Sequence, residues 1–213
     1  MNYIFYPFLL FMMVWMNGCD EEHSTLPSAP SPALIKTDTP VPKTSTLPTK
    51  EPVPVQVYEF NLSSAEEGFS LLTVKENNYH FSNIAEPIIL VNFFSTWCPP
   101  CRGELPHLNN LQKRYHGKIF LMGLLIHDDL SPEALNSCIA SQKVNYFIAN
   151  NQAENERFAT FIAPKLKLKA RFNLPLMIMF LNGKYYTHYL GTVPEEMIES
   201  DIKQALKNIK GSK

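Results

Sequence analysis

Seven residues, Ile88 to Phe94 (IILVNFF), form an almost unbroken run of β-branched, aliphatic and aromatic side chains. A run with no polar face reads as a strand covered on both sides, as at the centre of a sheet enclosed by other layers. The spacing of Leu105, Leu108, Leu111 and Tyr115 predicts a helix over 99–115, kinked at Pro106. Lys118 to Ile126 (KIFLMGLLI) then reads as a second buried strand. Strand, helix and strand in this order require a crossover, so the two strands are expected to be parallel.

The flanking segments complete the pattern. Leu71–Lys75 and Tyr79–Phe81 flank Asn77-Asn78 and read as a short hairpin before the main sheet. Ser131 is the expected cap of a helix opening at Pro132-Glu133, with Leu135, Cys138 and Ile139 inward. Glu154 to Ile162 reads as another helix. Leu176–Leu181 and Tyr185–Leu190 flank Asn182-Gly183, a strong hairpin signal. Pro194-Glu195-Glu196 opens a last amphipathic helix carrying Met197, Ile198, Ile202 and Leu206. The expected fold class is α/β: a mixed central sheet with helices on both faces and an N-terminal β-hairpin extension.

This folded part is expected to occupy 55–213, because the preceding residues have a different texture. Tyr3 to Met16 is apolar and aromatic apart from Pro7. As a helix its 14 residues would span about 21 Å, short of the roughly 30 Å hydrocarbon core of a bilayer. That length suits a signal peptide over 1–18 better than a permanent span. Gly18-Cys19 resembles a bacterial lipoprotein cleavage site, which implies cleavage before Cys19 and lipid on its thiol and on the new N-terminus. An uncleaved hydrophobic anchor is the alternative. Residues 24–54 hold eight prolines, ten Ser or Thr and no aromatic residue, too little apolar area to offset ordering entropy. A Pro/Ser/Thr-rich tether is therefore expected over 19–54. Either anchor places the rest of the chain outside the cytoplasm, on the periplasmic side of a membrane. A net charge of −1 lacks the concentrated basic face that nucleic-acid binding uses, so no nucleic-acid partner is expected.

Trp97-Cys98-Pro99-Pro100-Cys101 falls where the strand 88–94 gives way to the helix. The free N–H groups and dipole of a helix N-terminus stabilise a thiolate, which makes Cys98 the candidate nucleophile. Cys101, three residues on, lies on the same face and can close a disulfide or resolve a mixed one. Proline is tolerated in the first turn, where its missing N–H costs no hydrogen bond. The competing reading is half of a zinc site. Structural zinc needs four ligands, whereas no second CxxC exists and the six histidines are scattered. No metal and no other cofactor is expected.

The stretch IILVNFFSTWCPPCRGELPHL, residues 88–108, resembles the TlpA/ResA-like branch of the thioredoxin superfamily, with a wider likeness from about Val57 to Lys207. The resemblance implies a thioredoxin-like fold and a membrane-anchored thiol–disulfide oxidoreductase. It also implies that Leu174-Pro175 is the cis-proline loop, with Pro175 shaping the substrate groove; Leu174 in that loop and Trp97, by its place beside Cys98, are the other expected substrate contacts. Leu174 departs from the Thr or Val more often found there. Glu104 matches the acid that this branch places near its thiols, where it would exchange protons with Cys98 and Cys101 and raise their pKa values. Asn92 stands where cytoplasmic-type thioredoxins carry a buried Asp, and Lys165 to Arg171 (KLKLKAR) is more basic than the resemblance leads one to expect.

The expected activity is reduction of disulfides in secreted or periplasmic proteins, apocytochrome c among them, by a monomer kept reduced by a membrane thiol donor. An oxidising compartment leaves a disulfide-forming oxidase open, and a thioredoxin-fold binding module or chaperone is a third reading. Cys138 is expected to pack as a small hydrophobe. His107 and the run 165–171 are expected to be solvated.

Overall fold

A computed structural model describes residues 55–64 and 68–211. The residues expected to form a leader and a tether, Cys19 among them, lie outside the described residues. The run Ile88–Phe94 is strand β4, and all seven of its residues are buried. It is the middle of a five-stranded sheet with β5 (Ile119–Leu125), β6 (Phe147–Ala149), β7 (Leu176–Leu181) and β8 (Lys184–Leu190), in the order β6-β5-β4-β7-β8. Strands β4, β5 and β6 are parallel, whereas β7 is antiparallel to β4 and β8 to β7. The sheet is therefore mixed, as the order of elements implies.

Alternation along β4 divides the core. Ile88, Leu90 and Phe94 join Leu105, Leu108 and Leu111 of α1 (Pro99–Arg114) with Ile198 and Ile202 of α4 (Glu195–Gly211). Ile89, Val91 and Phe93 face the opposite layer, with Phe158 and Ile162 of α3 (Gln152–Ile162). Full burial of each such side chain contributes about 1.5–3 kcal/mol.

That second layer also contains a separate antiparallel sheet of β1 (Val57–Ser64), β2 (Gly68–Lys75) and β3 (Asn78–Phe81). The N-terminal extension is thus three-stranded, where the sequence reading identified only the last two strands. Strand β1 has a period-2 signal in Tyr58, Phe60 and Leu62, and Phe60 packs on Phe158 with ring centroids 5.1 Å apart. The β2–β3 hairpin turns at Glu76-Asn77, one residue earlier than expected, because Asn78 pairs with Lys75. This register sets Tyr79 opposite Val74 and Phe81 opposite Leu72, all four buried. A one-residue slip would turn Tyr79 and Phe81 to the other face.

Two helical expectations change. In α2 (Pro132–Ser141) Leu135 alone is fully buried, and the free thiol Cys138 is half-buried rather than inward. In α4 the inward face is Ile198, Ile202 and Ala205, leaving Met197 49% exposed.

Asn182 and Gly183 have φ of 49° and 72°, as a two-residue hairpin requires. The Gly183 carbonyl also accepts the Tyr79 N–H at 2.8 Å, linking the small sheet to the large one. A Cβ at Gly183 would stand 2.9 Å from the Tyr79 carbonyl oxygen. Gly183→Ala is expected to destabilise the protein by about 1–3 kcal/mol, read from the midpoint of urea unfolding.

Candidate active site

Cys98 is the N-cap of α1, with Pro99 and Pro100 in the first helical positions. Its Sγ accepts the Cys101 N–H at 3.3 Å, and no acidic residue stands in the first turn. A thiolate at this atom would face the positive end of the helix. Cys98 and Cys101 are joined in a disulfide with Cα atoms 5.3 Å apart. Their exposures are 4% and 1%, so an incoming partner meets Cys98 first.

The segment leading into Cys98 is held from the end of the neighbouring strand. The Ser95 hydroxyl donates to the Ile126 carbonyl, and the Thr96 N–H and hydroxyl both donate to Asp128 Oδ2, at 2.6 and 2.7 Å. Trp97 Nε1 donates to the His127 carbonyl at 2.7 Å. Asp128 is buried, and its backbone exchanges two hydrogen bonds with the Gln152 amide. His127 adopts φ of 54°, with its N–H donating to Glu156. Sequence reasoning missed this clamp. Its available signal was an acidic residue just past a strand parallel to β4, at the sheet end where α/β sites form.

Trp97, Cys98, Pro99 and Pro100 form one wall of a groove of about 870 Å³, faced by Arg171, Phe172, Asn173 and Leu174. Trp97 is 62% exposed. The Leu174–Pro175 peptide is cis. Pro175 is buried behind the groove, its carbonyl accepting the Gly191 N–H at 2.8 Å. The structure thus brings Trp97, Cys98 and Leu174 to one surface, with Pro175, Cys101 and Glu104 beneath it.

Glu104 is 2% exposed, and its Oε2 has no hydrogen-bond partner among the described residues. Burial pushes its pKa up to about 7, against a smaller lowering by His107. Asn92 is fully buried with neither amide atom bonded, and the Tyr146 hydroxyl is likewise unbonded among the described residues. Burial raises the Tyr146 pKa, and the Glu104 charge raises it further. Asn92 shares the α1 side of the sheet with Leu90 and Phe94. It pairs in register with Gly123, whose missing Cβ would lie 3.4 Å from the Tyr146 ring. Three polar side chains therefore gather in the layer between the sheet and the CxxC helix, where each unmet bond is costly.

His107 is exposed but not merely solvated: its Nδ1 lies 3.0 Å from Glu195 Oε2. Among the described residues no group of three or more His, Cys, Asp or Glu converges as metal ligands.

A carboxyl with a raised folded-state pKa holds its proton more tightly in the folded protein than in the unfolded chain. Its contribution is therefore fully present below the unfolded value of 4.5 and is lost as pH rises to about 7. The loss is on the order of 3 kcal/mol. Urea unfolding of the oxidised protein between about pH 4 and about pH 8 should show this decline in wild type but not in Glu104→Gln. The same variant should flatten the pH dependence of thiol reactivity in the reduced protein.

Comparison with known proteins bears on the same fold. The Redoxin family model matches residues 37–174. The chain is 36% identical over 56 residues to thioredoxin-like protein YneN of Bacillus subtilis, covering 26% of this chain and 33% of that protein. It is 32% identical over 54 residues to thiol-disulfide oxidoreductase ResA of Geobacillus kaustophilus, covering 25% of this chain and 31% of that protein. The chain thus spans about a third of the length of each of these relatives. Among solved structures, a thiol:disulfide interchange protein from Chlorobium tepidum aligns with a TM-score of 0.50 at 22% identity, over 60% of this chain and 86% of that one, a likeness of fold. Because the family model covers well over half of the sequence, the chain belongs to the Redoxin family, with a thioredoxin-like fold and a CxxC pair of the thiol–disulfide oxidoreductase type.

Proposed function

We propose that this protein is an extracytoplasmic thiol–disulfide oxidoreductase that reduces disulfides of secreted or periplasmic proteins, apocytochrome c being a candidate client. The observation that carries the reading is the position of Cys98: N-cap of α1, Sγ on a backbone N–H, at the wall of an open groove. In the exchange, the Cys98 thiolate attacks one sulfur of the client disulfide, and the other client sulfur leaves as a thiolate that takes up a proton. The Cys101 thiolate then attacks Cys98 Sγ, closing the protein disulfide and releasing the second client thiolate. The client gains two electrons and the protein loses them, so a membrane thiol donor must restore the dithiol.

Glu104 supports the reductive direction. Strong oxidants of this class are those whose reduced, thiolate form is stabilised. A buried carboxyl that ionises only near neutrality works against thiolates beside it, and so favours a reducing couple. Glu104 also serves as proton acceptor for Cys101 during resolution. In this reading residues 1–18 are a signal peptide, Cys19 carries lipid, and 19–54 tether the domain 55–213 to the periplasmic side of the membrane.

The reduction potential of the Cys98–Cys101 couple tests the direction, by equilibration against glutathione or dithiothreitol buffers. The proposal expects a value near or below the roughly −270 mV of thioredoxin. A value approaching roughly −120 mV would make the protein a disulfide-forming oxidase.

A further inference from the structure

The segment that precedes the Leu174–Pro175 peptide carries four cations that the exchange chemistry does not use. Lys165, Lys167, Lys169 and Arg171 are all exposed, while Leu166 is buried and Leu168 half-buried between them. The leucines pack with Phe158 and Ile162 of α3, which fixes the segment to the core and turns its charges to solvent. Among the described residues none of these four cations is in an ion pair. Lys165 instead stands over the Phe161 ring at 4.7 Å.

Arg171 lines the groove with Cys98, Pro99 and Pro100, and among the described residues no Lys, Asp or Glu lines it. Two acids near the CxxC loop are engaged, Asp128 with Thr96 and Glu156 with His127, and exposed Asp129 next to them is not among the groove-lining residues. Four like charges within seven residues repel one another, and the ion pairs of the fold do not offset them. The same array attracts a negatively charged chain that crosses the groove.

We infer that this strip is a docking surface for client segments with Asp or Glu on one side of the target cysteine. Arg171 takes the carboxylate nearest the attacked sulfur, and the lysines take acids farther along. The inference rests on the disulfide-exchange reading above and narrows its substrate class. An anionic bilayer would also match the lysines. A carboxylate at Arg171, however, must lie in the groove beside Cys98, where a threaded chain reaches and a flat lipid surface does not.

The test compares peptides of one apolar sequence that differ only in an acidic, neutral or basic flank, with Ser in place of Cys. Their binding to the oxidised full-length protein is read by tryptophan fluorescence. The acidic peptide should bind about tenfold more tightly than the neutral one at low ionic strength, with the advantage falling steeply as salt rises. Arg171→Glu should reverse the order of acidic and basic peptides, and Arg171→Lys should preserve it. Equal affinities, or an acidic preference undiminished in Arg171→Glu, would overturn the inference. So would binding to phosphatidylglycerol vesicles, lost when the three lysines are changed to Ala, without any peptide preference. Because these peptides contain no cysteine, the result holds whether or not the protein exchanges disulfides. Versions whose cysteine is held in a disulfide, offered to the dithiol form of the protein, that bind with the acidic preference but are not reduced would sink the exchange reading and leave the docking surface standing.

Discussion

A sulfur atom at the first turn of α1 is the feature on which the rest of the molecule converges. Cys98 replaces the Ser, Thr or Asp that ordinarily caps a helix, and its Sγ accepts the Cys101 N–H that such a cap would bind. That one contact joins local backbone geometry to chemistry, because the field that satisfies a helix end also favours a thiolate. The contact requires the preceding three residues to be rigid. Asp128, His127 and Ile126 supply this from the end of β5, each accepting hydrogen bonds from one of Ser95, Thr96 and Trp97.

The opposite end of α1 is fixed as firmly. Arg114 pairs with Glu195 and Glu199 of α4, and the Tyr115 hydroxyl donates to Glu199. Hydrogen bonds from Tyr115, Lys203 and Arg114 hold the Glu199 carboxyl down to about 2. These are surface contacts of modest individual energy. They fix the register of α1 against α4, while the apolar layer under Leu105, Leu108 and Leu111 supplies most of the cohesion. The polar side chains of Asn92, Glu104 and Tyr146 interrupt that apolar layer with buried atoms that have no partner among the described residues.

Sequence periodicity revealed the large elements because burial on two faces leaves an unmistakable pattern in Ile88–Phe94 and Ile119–Leu125. It revealed the CxxC pair because the spacing and the strand-to-helix junction coincide. The three-residue strand Phe147–Ala149 is too short to display a period, and β1 sits beside the Pro-rich stretch that masks its alternation. The hairpin register around Glu76 was decided by the tertiary pairing of Tyr79 and Phe81, which outweighed the local turn preference of Asn77-Asn78. The Asp128 clamp and the place of Tyr146 beside Gly123 depend on contacts between distant parts of the chain. Beyond the bare acid after the strand, no local pattern encodes them. Met197 lies at the edge of the α4 stripe, and only the packing decides which edge residue faces solvent.

The account stands on Cys98 as the attacking atom, and selective alkylation tests it most directly. The reduced full-length protein would be treated with limiting iodoacetamide at neutral pH, and the modified cysteine located by mass spectrometry. The account predicts modification of Cys98 ahead of Cys101 by about tenfold or more, since Cys98 stands at the groove wall and the helix N-terminus favours its thiolate. Modification first at Cys101, or at equal rates on both, would contradict it.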